Sequence, residues 1–230
     1  MKRFYADAAA EAVEGGWQVV LDGRPVRTPA RSLHVVPTRA LGEAIAAEWR
    51  AQGDRVDPRS MPLTGLANAA IDRVAPDREA FAAGLAQYGE SDLLCYRADT
   101  PAKLVLLQAE AWDPVLAWAR RRYDVEFEIT TGVIHRRQPQ DAVDRLARAV
   151  RSRSPFELAA LSPLVTIGGS LILALALVEG AMSADAAWAA ATVEDRWQAE
   201  QWGEDAEAKA ALDNRQREFG AAHHFLALLG

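Results

Sequence analysis

The stretch Val193-Glu194-Asp195-Arg196-Trp197-Gln198-Ala199-Glu200-Gln201-Trp202-Gly203-Glu204-Asp205 gathers more carboxylates, amides and indoles than any other part of the chain. On a helix Glu194, Trp197, Gln198 and Gln201 fall at i, i+3, i+4 and i+7 and share one face. Two amides, an indole and a carboxylate make a poor hydrophobic seam but a good recognition surface. Tryptophan supplies contact area, amides satisfy backbone groups, and a carboxylate pairs with an arginine on a partner. The same residues also fit a plainer arrangement, with Trp197 and Trp202 in the core and the acids solvated. Paired carboxylates for hydrolysis are a third use, but nothing convergent accompanies them.

Other chemistry finds little support. His223 and His224 are adjacent, so on a helix they point about 100° apart and cannot share a metal. No histidine pair is spaced by four, and no set of thiols completes a zinc site. His34 falls in an alternating segment and His135 in a loop beside two arginines. Cys95 is the one cysteine; in the setting Leu93-Leu94-Cys95-Tyr96 it reads as a buried structural thiol. Gly168-Gly169-Ser170 lacks the Walker lysine and the spaced dinucleotide glycines, and reads instead as a helix interior allowing close backbone approach. No Gly-x-Ser-x-Gly motif occurs. These readings leave no cofactor and no metal.

A chain of 230 residues with net charge −6 argues against a nucleic-acid surface, which needs a concentrated basic face. The densest basic cluster, Arg120-Arg121-Arg122, ends an expected helix, where cations complement the helix dipole. The N-terminus has a short basic start with no apolar core after it, unlike a signal peptide. The apolar run Leu164 to Val178 is shorter than the ~20 residues of a membrane span, so no membrane insertion is expected. The expected location is cytoplasmic.

Two kinds of element must position these residues. Trp17, Val19 and Leu21 alternate with Gln18, Val20 and Asp22 as in a strand, and Asp22-Gly23 signals a hairpin. Arg24 to Thr28 and Ser32 to Val36 complete an expected antiparallel meander. From Thr38, a capping residue, the apolar spacing of Leu41, Ile45 and Trp49 predicts a helix. An extended, proline-punctuated segment follows, then a helix over Leu66 to Val74. A domain boundary is drawn at Ala75-Pro76, giving domains 1–75 and 76–230. Beyond it the pattern is mainly helical: a helix from Asp77 toward Tyr88, then one capped by Thr100 with Pro101 first and broken or kinked at Asp113-Pro114. An edge strand is expected through Val125, Phe127 and Ile129. Further helices are expected over Pro139 to Arg151, Pro155 to Val178, Ala184 to Trp202 and Asp205 to Leu229. The expected fold class is α+β, a small antiparallel β-containing N-terminal domain before a larger helical one.

The motifs, in order, are Arg3-Phe4-Tyr5, Leu21-Asp22-Gly23-Arg24-Pro25, Thr28-Pro29, Glu48-Trp49, Gln52, Met61-Pro62-Leu63-Thr64, Asn68 and Asp72. There follow Asp92-Leu93-Leu94-Cys95-Tyr96-Arg97, Gln108, Trp112-Asp113-Pro114, Gly169-Ser170, Glu194-Asp195, Trp197-Gln198 and Gln201-Trp202-Gly203. With these the chain resembles the assembly chaperones for the alpha subunit of the F-type ATP synthase catalytic head. The resemblance implies no enzyme activity and no nucleotide. It implies a holdase that binds unassembled alpha subunit and prevents its aggregation until beta subunit replaces it. It places the functionally important acidic position at Glu194, with Asp195 second; joined to the helical face read above, the expected client-binding set is Glu194, Asp195, Trp197, Gln198 and Gln201. Arg196 departs from the pattern, standing where relatives often carry another acid. Two other readings stay open: a small-molecule enzyme with an interdomain pocket using Glu194, Asp92 or Arg97, and an adaptor for another complex.

Overall fold

The computed structural model describes residues 1–132, 135–203 and 205–230. Contacts divide the chain into two compact units. The first comprises Met1–Arg78 with Arg153–Ala160 and Ala221–Gly230; the second comprises Glu79–Ser152 and Leu161–Gly220. The first thus ends three residues beyond the boundary drawn at Ala75-Pro76, and two later segments return to it.

In the first unit, β1 (Ala8–Val13) pairs antiparallel with β2 (Gly16–Leu21) along its whole length, from Ala8 opposite Leu21 to Val13 opposite Gly16. The other edge of β2 is shared: β3 (Arg24–Pro25) covers Val20 and Leu21, and β4 (Val35–Val36) covers Trp17 and Gln18. The expected meander therefore becomes a sheet centred on β2, and β4 is shorter than the Ser32 to Val36 span. The β2–β3 turn has Asp22 and Gly23 at φ 48° and 73°, the left-handed pair that matches the twist of a tight hairpin. The Asp22 carboxylate accepts from the Ala6 and Asp7 amides, so the turn also ties down the N-terminus.

Helix α1 (Arg39–Arg50) starts where Thr38 Oγ1 accepts from the Leu41 amide, and lies against β1 and β2. Leu41 and Ile45 are fully buried, each removing enough apolar surface to contribute about 1.5–3 kcal/mol. The next helix, α2 (Pro62–Ala69), begins four residues earlier than its spacing predicts, because Glu48 caps it. Its carboxylate accepts from the Leu63 amide at 2.7 Å and from the Thr64 amide and hydroxyl at 2.8 and 2.7 Å. The backbone then stays helical through a wider turn at Ala70–Val74 and a tighter one at Ala75–Asp77 into α3 (Arg78–Ala86).

The second unit is helical around α7 (Leu171–Val178), whose residues from Leu171 to Leu177 are all buried. Such a helix, apolar all round, serves as a core. Against it lie α4 (Ala102–Tyr123) and α8 (Ala184–Ala191). Helix α4 differs from expectation at both points of proline. Pro101 is extended and precedes the helix, while the Thr100 hydroxyl turns to the Asp99 carboxylate. Pro114 does not break the helix: it lies on the exposed face with Glu110, where an unbonded carbonyl is solvated, while Trp112 and Leu116 are fully buried on the other side.

The helix expected over Pro155 to Val178 is two, α6 (Pro155–Gly168) and α7. Gly169 adopts φ 67° and ends the first, and Ser170 caps the second by accepting from the Leu173 amide at 2.9 Å. The helix expected over Ala184 to Trp202 likewise divides, into α8 and α9 (Val193–Trp202), at Thr192. Helices α5 (Gln140–Arg151) and α10 (Ala206–Ala227) match their expected spans within two residues. Val125 and Phe127 are buried and Glu126 exposed as alternation predicts, but the pattern ends there, for Ile129 is exposed. The strand there is only β6 (Thr130–Thr131), parallel to β5 (Tyr96–Arg97).

Candidate functional site

Helix α4 positions the acidic, aromatic stretch. Its buried stripe runs Leu104, Gln108, Trp112 and Leu116, one residue per turn. Gln108 is fully buried and uses both ends of its amide: Oε1 accepts from the Ala98 backbone at 2.8 Å, and Nε2 donates to Glu194 Oε1 at 2.6 Å. One turn on, the Trp112 indole donates to the Ala190 carbonyl at 2.8 Å. Together they fix the end of α8 and the first turn of α9 against α4. Arg97 supports the same helix, its guanidinium 5.1 Å over the Trp112 ring and 2.7 Å from Asp113.

Glu194 is therefore an exposed carboxylate held on one oxygen by a buried amide. Asp195 pairs with Arg215 on α10 at 2.7 Å, both about half-exposed. Arg196 donates to the Ala189 carbonyl, and Glu200 pairs with Lys103 across exposed surface. Trp197 is half-buried and meets Trp202 edge-on, ring centroids 5.6 Å apart. Gln198 and Gln201 are exposed, and Trp202 is 74% exposed. The shared face of Glu194, Trp197, Gln198 and Gln201 is present, with Asp195 turned toward α10. The plainer arrangement, with both indoles in the core, does not hold, because Trp202 is exposed. Glu204 lies outside the described residues. Asp195, Gln198 and Trp202 also line a groove of about 290 Å³ with Ala208, Leu212 and Asp213 of α10.

The other candidates are structural. Asp92 is fully buried and accepts from Ser170 Oγ at 2.6 Å, the Ile172 amide at 2.9 Å and the Leu94 amide at 3.1 Å. Burial pushes its carboxyl up to about 6, against the pull of these donors. Cys95 is buried and its thiol is pushed up to about 12, a group with no thiolate to offer. Among the described residues no cluster of three or more His, Cys, Asp or Glu is placed to hold a metal ion. No helix among them is long and apolar enough to cross a membrane.

Sequence reasoning missed Gln108 as the anchor of Glu194. The signal was a glutamine at a core position of a helix with four-residue apolar spacing, where a buried amide must find partners.

Comparison with known proteins bears on the family and the fold. Residues 2–120 match the family model for the ATP12 chaperone protein. The mitochondrial protein atp12 of Schizosaccharomyces pombe is 27% identical over 214 residues, covering 88% of this chain and 74% of its own. The crystal structure of Atp12 from Paracoccus denitrificans is 44% identical with a TM-score of 0.95, covering 100% of this chain and 98% of that one. A structure from Agrobacterium tumefaciens is 43% identical with the same TM-score and coverage of 100% and 86%. With a family model matching more than half its length and a shared fold end to end, the chain belongs to the ATP12 chaperone family, the assembly chaperones of ATP synthase.

Proposed function

We propose that this protein is an ATP-independent holdase for the unassembled alpha subunit of the F-type ATP synthase head. It acts in the cytoplasm and releases its client when beta subunit takes its place. The client-binding face is the exposed side of α9, with Glu194, Asp195, Trp197, Gln198 and Gln201. The observation that carries this is the exposure of the Gln198 and Gln201 amides, with the half-buried Trp197 on the same face, beside carboxylates already fixed in position by Gln108 and Arg215. A face whose side chains are pre-positioned loses less conformational entropy on binding.

An orphan subunit of an oligomer exposes its interface, and such apolar surface aggregates. A binder of modest affinity masks it and yields to the true partner by mass action, with no nucleotide hydrolysis in the cycle. The protein is proposed to have no catalytic role: of the three polar groups an enzyme reading would use, Asp92 and Arg97 are engaged in capping and packing and Glu194 accepts from Gln108. Light scattering of alpha subunit diluted from denaturant tests the function. Stoichiometric protein without nucleotide is expected to suppress the scattering; unchanged scattering at excess would refute the proposal.

A further inference from the structure

We propose that the groove between α9 and α10 seats a client segment carrying a lysine or arginine next to an aliphatic side chain, an inference resting on the client reading above. Two observations carry it beyond the α9 face. First, α10 begins almost uncovered: Ala206 to Ala211 are exposed and Leu212 is half-buried, and burial resumes only at Phe219. A helix derives most of its stability from tertiary packing of an apolar face, and these first turns bury almost nothing. Trp202, the most exposed large apolar side chain among the described residues, stands at the same groove with Ala199, Ala208 and Leu212. Alanines on both helices leave room for an aliphatic side chain against the indole.

Second, the groove is acidic. Among the described residues that line it, Asp195, Asp205 and Asp213 stand against one cation, Lys209, and Glu200 and Glu207 are exposed on the same two helices. Asp205 also caps α10 through the Ala208 amide at 2.8 Å, and Asp195 is paired with Arg215, so Asp213 is the exposed acid best placed for an incoming cation. A second copy of this chain fits poorly, because a two-fold contact would set one acidic groove against another. A partner segment combining a basic and an aliphatic residue matches both features.

The test is a binding titration of isolated alpha subunit against the full chain and its variants Trp202→Ala, Leu212→Glu and Asp213→Lys, each paired with a thermal melt. Glu11→Lys, an exposed reversal on β1, serves as the control. Trp202→Ala and Asp213→Lys are expected to melt like wild type and to raise Kd at least tenfold, as loss of a central tryptophan anchor does. Asp213→Lys is also expected to flatten the salt dependence of Kd, and Glu11→Lys to change neither. Wild-type binding with unchanged Kd in Trp202→Ala overturns the groove and leaves the chaperone reading standing. Loss in Trp202→Ala with none in Asp213→Lys overturns the basic occupant. A dimer abolished by Trp202→Ala assigns the groove to self-association instead. A wild type that does not bind alpha subunit removes the client reading, and the groove with it.

Discussion

Glu194 shows how a single side chain serves two roles. Its exposure suits a contact with a partner, yet it is the acceptor for a fully buried amide. Glu194→Lys removes that acceptor and leaves Gln108 Nε2 unsatisfied, a loss of about 1–3 kcal/mol. Glu194→Gln keeps an acceptor at the same reach and is expected to melt close to wild type while losing the charge. Thermal melts of the two variants beside alpha-subunit titrations separate the roles: a lysine variant as stable as wild type refutes the anchor, and a glutamine variant with unchanged Kd refutes the charge contact. The same economy runs through the polar motif residues. Asp72 accepts from the Thr28 hydroxyl and the Ala30 amide, Glu48 caps α2, Gln52 accepts from the Asp57 amide, and Asp92 caps α7 with Ser170. Most of what identifies the family in sequence is hydrogen bonding that specifies its fold.

Among the elements, the break between α6 and α7 matters most, because it frees the Ser170 hydroxyl and the α7 amides to meet Asp92. Gly169 sits there for its backbone. An added Cβ would meet only Leu93 atoms, at an ordinary 3.7 Å, but φ 67° is a region that side-chain-bearing residues enter at a cost. Gly169→Val is expected to lose about 1–3 kcal/mol, since a β-branched residue is the least tolerant of left-handed backbone. Gly169→Asn is expected to lose less, asparagine entering that region more readily. Equal denaturant midpoints for the two would mean that crowding, not conformation, sets the penalty.

For the whole molecule, the two units carry buried titratable groups of opposite effect. His34 in the first is fully buried, and desolvation lowers its imidazole, with backbone groups and Asp72 opposing. The unfolded state thus takes up a proton first, and the first unit loses stability as pH falls below about 6.5. Asp92 in the second is raised from 3.8 to about 6. There the folded state takes the proton first, so the stability gained from the neutral acid is full below about 4 and is lost as pH rises toward 6. Hydrogen-exchange protection factors compared at pH 7 and pH 5 are expected to fall at Val19, Val20 and Leu41 and to rise at Leu173 and Leu175. Parallel changes in both sets would show that neither group dominates its unit.

The amino-acid sequence by itself determined the α+β class, the Asp22-Gly23 turn, helix α1 with its Thr38 cap, and the shared face of Glu194, Trp197, Gln198 and Gln201. All of these are local: two dihedrals, a cap, a period. Its ordered motifs also carried the family. Strand β1 was illegible because Ala-Ala-Ala-Glu-Ala-Val has little β preference of its own and is ordered by pairing with β2. Helix α4 runs through Pro114 because buried residues on its far side hold it, and α6 stops at Gly169 because the α7 start meets Asp92, 78 residues earlier than Ser170 in the chain. Likewise only the tertiary structure joined Gln108 to Glu194, 86 residues apart, and set Trp202 at a groove with α10. A buried polar group must be satisfied, but spacing along one helix does not say by which distant partner.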